Sequence, residues 1–348
     1  MSAEGYATDT AIRHQVYVQR FGAGQTDKAV KFIRKAIASA KEAVRNGLSQ
    51  YATARYHRQI EVLRKDLQAI YGEMSEQQIL DLGEFAQYEY SFNSKLLGRL
   101  IKVSVRLAES SAEVVAAAAL ADPMILTVGA GRKRISIAGA LSQFGTKKTA
   151  DIISEVAIGH SLGETQRQIV RRLTSVGIMQ EEQAGSLVRT VTNQVSASAR
   201  DKTFDANSDI LKGKQDIATL DSRTTAYCQS IDHRIVPLDG PSPPYHWGCR
   251  TTQIPVLKDE YRRDIPGSVR PAIGPDGAVQ VSSNTTYGDW LKRQPASFQS
   301  EVLGPSRYRL FSKGDLTLDR FVDGETGKQY TLNQLRALEP HAFELAGL

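Results

Sequence analysis

Apolar residues recur every three or four positions over much of the first hundred residues. Val30, Ile33, Ile37, Ala40 and Val44 fall on one stripe, with Lys28, Lys31, Lys35, Lys41 and Glu42 largely off it. That spacing predicts an amphipathic helix, closed near Asn46-Gly47. Ile60, Leu63, Leu67 and Ile70 repeat it in a second helix that is expected to end at Gly72. Ser75 with Gln78 reads as a capping box for a third, with Ile79, Leu82 and Phe85 on its inner face and the pattern continuing through Leu96, Leu97, Leu100 and Ile101. Short links between the three predict antiparallel neighbours in a bundle. An apolar stripe serves a self-contained core and a docking arm alike, and Arg55, His57, Arg58, Arg64 and Lys65 read as a basic outer face.

Ala112 to Ala121 is small and apolar and stops at Asp122-Pro123. A strand-like run follows, then glycines and the cluster Arg132, Lys133 and Arg134, a candidate contact for DNA or an acidic partner. Gly129-Ala130-Gly131 lacks the strand-to-helix setting and the Lys-Ser/Thr ending of a phosphate loop. Helical spacing resumes at Thr149 with Ile152, Ile153 and Val156. Ser161 and Glu164 suggest a cap for a helix through Ile169 and Leu173, broken at Gly177, before a further helix from about Gln180 to Arg200. Later come a hairpin around Pro275-Asp276-Gly277, a helix capped by Thr286 and Asp289, and a last capped helix from Leu332 to Leu338 with Thr331 and Gln334 at its start. The expected class is mainly α: an N-terminal helical bundle (residues 1–122), then a helix-rich α+β part holding a small β/loop knot (123–265), then a loop and helical tail (266–348).

Composition narrows the class only slightly. At 348 residues and 41% hydrophobic content, the chain has room for a substantial core. No run approaches the roughly 18 apolar residues that a bilayer span needs. The first residues show no basic patch followed by an apolar segment, so folding in a reducing cytoplasm is expected. Two cysteines cannot build a disulfide framework. The net charge of +6 favours anionic neighbours and fits general solubility equally well.

Chemistry concentrates between Asp221 and Val256, which hold both cysteines, Cys228 and Cys249, with His233 and His246. Cys228, His246 and Cys249 are a donor set for zinc, with His233 or Asp232 as the fourth ligand. Two other readings stand beside it: buried cysteines acting as small apolar groups, and a Cys228–Cys249 disulfide. Asp221 is placed to cap a turn through Arg223. Arg223, Asp232, Asp239 and Arg250 are candidates for charge-assisted ties between the arms of a structural knot. His233 and His246 as an acid/base pair would make a nuclease, but no carboxylate or lysine sits at a spacing that forces such geometry. Tyr245 and Trp247 flank His246 and suit either stacking on single-stranded DNA or closure of the loop's own core.

The order of these residues carries a resemblance. Asp221-Ser222-Arg223-Thr224, then Cys228, Asp232-His233, Pro243-Pro244-x-His246-x-x-Cys249-Arg250 and the exit Ile254-Pro255-Val256 resemble the signature of phage head morphogenesis proteins of the Mu F type. The family pattern carries an outer cysteine in each arm, where Thr225 and Thr251 stand here, so its four-thiolate zinc cage is not available. Upstream, Arg189, Thr190 and Asn193 resemble the family's preceding helix. Downstream, Trp290-Leu291, Gln294-Pro295, Phe298-Gln299 and Val302-Leu303-Gly304-Pro305 resemble its tail. The likeness covers about residues 150–340. It implies a non-enzymatic minor head protein at or near the portal vertex of the virion, assembled in the host cytoplasm. Its partners would be portal, capsid or scaffold proteins, with double-stranded DNA as a further contact and no membrane. The rival readings are a DNA-binding module using Arg132, Lys133, Arg134 and the basic helices, or a nuclease or ADP-ribosyltransferase.

Overall fold

The computed structural model describes residues 3–102, 104–128, 131–265 and 268–348. It is mainly helical. Helix α1 (Ala3–Arg45) and α2 (Ala54–Leu100) lie side by side, followed by α3 (Ala112–Ala121), a hairpin of β1 (Met124–Val128) and β2 (Gly131–Ile135), and two more bundle helices, α4 (Ile137–Ser161) and α5 (Gln166–Ala206). The bundle therefore extends past residue 122. At its far end Ile33, Ile37, Leu67 and Ile70 share one core with Ile152, Val156, Leu173 and Val176. Midway, Val18, Leu82 and Phe85 pack with Leu141, Val191 and Val195, and at the base Ala7, Leu97 and Leu100 meet Phe204, Ile217 and Ile254.

Beyond the bundle, β3 (Leu211–Ile217) is the centre of a three-stranded antiparallel sheet, flanked by β4 (Ile235–Val236) and β5 (Thr252–Leu257). The short helix α6 (Ala226–Ser230) lies between β3 and β4. A separate hairpin of β6 (Val269–Gly274) and β7 (Gly277–Ser282) precedes a tail of short helices: α7 (Tyr287–Lys292), α8 (Ala296–Leu303), α9 (Pro305–Ser312), α10 (Leu332–Leu338) and α11 (Pro340–Ala346). Tyr287, Trp290, Leu310, Phe311, Phe321 and Phe343 fill the tail's core. Among the described residues, no helix is long and apolar enough to cross a membrane.

Several predicted breaks are absent. α2 runs through Gly72 without interruption, a glycine inside a helix costing only about 1 kcal/mol, which packing along 47 residues overrides. Ser75 is therefore no cap: its hydroxyl donates to the Tyr71 carbonyl at 2.9 Å, and Gln78 donates its amide across the bundle to the Gln25 carbonyl. α5 starts not at Ser161 but at Thr165, whose side chain and that of Gln168 cap each other reciprocally. Glu164 is drawn instead into an ion pair with Arg172. Gly177 leaves α5 unbroken and serves close packing, because a Cβ there would stand 3.2 Å from Ile37 Cγ1. The hairpin at Pro275-Asp276-Gly277, the Thr286 cap and the Thr331–Gln334 box all form where the residues predict them. Arg132, Lys133 and Arg134 lie on β2, with Lys133 and Arg134 exposed. The Gly129-Ala130 turn and the Arg132 side chain fall outside the described residues.

Leu67 is fully buried where α1, α2, α4 and α5 share their core. Leu67→Ala is expected to lower the unfolding free energy by about 2–5 kcal/mol, read from urea denaturation followed by circular dichroism.

Candidate metal centre

The first arm contributes α6. Thr225 caps it, accepting a hydrogen bond from the Cys228 backbone N–H, and this turns the Cys228 side chain inward. The second arm returns to β5 through a tight bend at Gly248, whose φ of 70° suits glycine. The Cys249 N–H donates to the His246 carbonyl at 3.1 Å, which brings His246 and Cys249 to one side of the bend.

α5 holds the bend in place. The Gly248 N–H donates to Thr190 Oγ1 at 2.9 Å, and Asn193 donates to the Cys249 carbonyl at 3.0 Å while accepting from Gln15 of α1. Thr190 and Asn193 are thus hydrogen-bonding supports of the knot, a role their buried, polar nature suggests.

Cys228, His246 and Cys249 place their ligating atoms within 4.8 Å of one another. Both thiols are buried and free, with Sγ to Sγ at 3.8 Å, so there is no disulfide. Two thiolates on a tetrahedral zinc with bonds of about 2.3 Å would stand about 3.8 Å apart, so the sulfurs are already at the separation a metal requires. His246 Nε2 lies 3.2 Å from Cys228 Sγ, and Nδ1 is 3.0 Å from the Trp247 carbonyl. A proton on Nδ1, donated to that carbonyl, would leave the Nε2 lone pair for a metal that displaced the proton Nε2 otherwise shares with the sulfurs, as in a metal-ligating histidine. Burial opposes a charge on Cys249, but hydrogen bonds from Cys228 and His246 and the nearby imidazolium hold it well below the usual thiol range. The hydrogen bond to Cys249, together with burial, pushes Cys228 well above that range. For His246, burial favours the neutral ring, yet contact with the Cys249 thiolate raises its pKa. The donor set therefore fits a thiophilic divalent cation.

His233 and Asp232 do not join this cluster. Asp232 forms a separate buried node with Arg270, a fully buried residue of β6. Its Oδ2 accepts from Arg270 Nη1 at 2.9 Å and from the Tyr287 N–H at 2.7 Å, and its Oδ1 accepts from the Ala218 N–H at 2.8 Å. His233 has a φ of 67° and places Nε2 3.0 Å from Arg270 Nη1. Burial, only partly offset by Asp232, lowers its pKa and favours the neutral ring. Neither residue is therefore part of the donor cluster, and His233 and His246 belong to different polar networks.

Of the other ties, Asp221 and Arg250 pair through two hydrogen bonds of 2.5 and 2.7 Å, and Asp221 also accepts from the Arg223 N–H, forming the expected turn. The side chains of Arg223 and Asp239, in contrast, are exposed and make no ion pair among the described residues, so neither ties the arms. The sequence reading missed a third node. Asp216 of β3 is fully buried and accepts from Tyr245 Oη at 2.6 Å, Gln253 Nε2 at 2.9 Å and Arg234 Nε at 3.0 Å. Tyr245 thus turns inward, with its ring edge-on to Tyr227, while Trp247 stays 40% exposed. Thr225, His246 and Trp247 border a cleft of about 710 Å³.

Compared with family models, with curated proteins and with solved structures, the chain matches none.

Two measurements check the knot. Asp232→Asn removes one partner of a buried pair and is expected to cost about 3–5 kcal/mol in chemical denaturation. At Asp221, burial resists ionisation, but the hydrogen bonds and charge of Arg250 outweigh it and hold the carboxyl below its ordinary value. A depressed carboxylate contributes stability above its unfolded pKa of about 4, and that stability is lost as the pH falls through the folded value. Denaturation midpoints of Asp221→Asn should therefore fall less steeply below about pH 4 than those of the unaltered protein.

Proposed function

We propose that this is a structural protein of a phage head, acting in head morphogenesis at or near the portal vertex, with its two-armed knot held by one zinc ion. The observation that carries this reading is the knot itself. Cys228 from one arm meets His246 and Cys249 from the other, in the residue order that resembles the Mu F-type signature, and Thr190 and Asn193 of the preceding helix support the bend. In this role the buried Asp–Arg nodes fix the shape of a capsid component. Mass spectrometry of purified DNA-filled particles should find the chain at low copy; its absence from them would overturn the reading. Elemental analysis of the purified protein should give one zinc per chain, lost in Cys249→Ser.

A second contact, with double-stranded DNA, is favoured by charge at the far end of the bundle. Residues 28–66 and 144–176 hold fifteen Lys and Arg against six Asp and Glu, so the remainder of the chain, whose total is +6, is net acidic. These spans share one core. Lys31, Arg45, Arg55, Arg58, Lys65 and Arg171 are exposed there and make no ion pair among the described residues. Such cations neutralise phosphates and release counterions. Binding to a generic duplex should weaken steeply between low and moderate salt, and Arg55→Glu with Arg58→Glu should flatten the slope of log affinity against log salt by about two. Lys133→Glu with Arg134→Glu tests the hairpin cations in the same assay.

A further inference from the structure

The zinc reading accounts for three donors where a tetrahedral ion takes four. The fourth position is not supplied by a nearby acid or imidazole. Asp232 and His233 are engaged with Arg270. Two of the three carboxylates that border the cleft are engaged as well: Asp122 accepts from Gln194 and Ser198, and Asp201 from Lys214 and Ser242. The third, Asp239, is exposed, and none of the five belongs to the donor cluster.

Two hydroxyls stand beside the cluster instead. Thr225 Oγ1 is 2.9 Å from His246 Nε2. Thr251, two residues after Cys249, is 2% exposed, and its Oγ1 is buried near the Cys228 sulfur without a hydrogen-bond partner among the described residues. A buried hydroxyl left unpaired costs free energy comparable to a lost hydrogen bond, which points to a missing polar group at that spot. A neutral hydroxyl is a weak ligand for a thiophilic cation but a good donor to a water or anion bound to one. Thr225 and His246 also line the cleft, which gives that position a route from solvent.

We propose that the centre is a three-ligand Cys2His metal site whose fourth position holds an exchangeable ligand, water or a small anion arriving through the cleft, held by the hydroxyls of Thr225 and Thr251. The inference rests on metal binding at Cys228, His246 and Cys249. It departs from the closed cage that the family resemblance implies, and it makes the ion a ligand-responsive centre in addition to a clamp. The open position suits a small soft or anionic donor, because the ion supplies the positive charge and the hydroxyls supply hydrogen bonds.

The test uses the full chain loaded with Co(II), which shares the tetrahedral preference of zinc and reports its coordination in the visible spectrum, with azide as the probe anion. The unaltered protein should bind one Co(II), and azide should shift its bands saturably. Thr251→Cys supplies a third thiolate, so it should abolish the azide response and slow metal loss to EDTA by about 10-fold or more. Thr251→Val should still bind Co(II) while weakening the azide response severalfold, with circular dichroism confirming that each variant is folded. Stoichiometric Co(II) with a spectrum indifferent to azide, in both the unaltered protein and Thr251→Cys, overturns the open site and leaves the metal reading standing. Failure of the unaltered protein to take up Co(II) or Zn(II) overturns both.

Discussion

The architecture depends on burying one polar helix. From Val191 to Arg200 every residue of α5 is buried, yet Thr192, Asn193, Gln194, Ser196, Ser198 and Arg200 are polar. Buried polar groups require partners, and most of those of α5 come from different parts of the chain, Thr192 Oγ1 and two of the Arg200 nitrogens having no hydrogen-bond partner among the described residues. Asn193 reaches both Gln15 and the Cys249 carbonyl, Ser196 donates to Glu89, Ser198 to Asp122, and Arg200 to Thr252. Apolar contacts would tolerate sliding of α5 along the bundle, but this set of bonds fixes a single register. The Cys/His cluster inherits its placement from that register, because Thr190 and Asn193 hold the bend that carries His246 and Cys249.

Around the cluster, three aspartates each pair with an arginine: Asp221 with Arg250, Asp232 with Arg270, and Asp216 with Arg234. Desolvation offsets much of the Coulomb gain in buried pairs, so they add little to net stability. Their effect is on uniqueness, since a knot closed in another register would strand a buried charge. Two of the pairs join segments that no helix or sheet ladder connects directly, the turn after β3 with the second arm and the loop before β4 with the β6 hairpin, while Asp216 and Arg234 reinforce the edge where β4 already pairs with β3.

The legible part of this fold was the part governed by local spacing. Stripes of Ile, Leu and Val named the bundle helices, and Ser/Thr caps placed the short C-terminal ones. The misplaced ends at Gly72, Ser75 and Gly177 have one cause, residues that weaken a helix locally being outvoted by packing along elements of more than 40 residues, whereas Ser161 ends α4 because Thr165 and Gln168 cap α5 instead. Cys228, His246 and Cys249 were recognisable because their chemistry is rare in this chain and the arms are short. His233 was misassigned because its partner, Arg270, lies 37 residues away on a hairpin with no marker of its own. Asp216 and Arg234 went unseen for the same reason, separated by 18 residues and indistinguishable in sequence from surface charges.

At 1.5 Å per residue, the 47 residues of α2 make an unbroken rod of about 70 Å, and the 41 of α5 nearly as long a companion. Stiff parallel rods do not absorb a push at one end by local buckling; they tilt together. Tilting α5 would drag Thr190 and Asn193, and with them the loop that presents His246 and Cys249. One continuous helix thus spans from the distal core, at Leu173 and Val176, to the bend that carries sulfur, so the two ends of the molecule share a single rigid element.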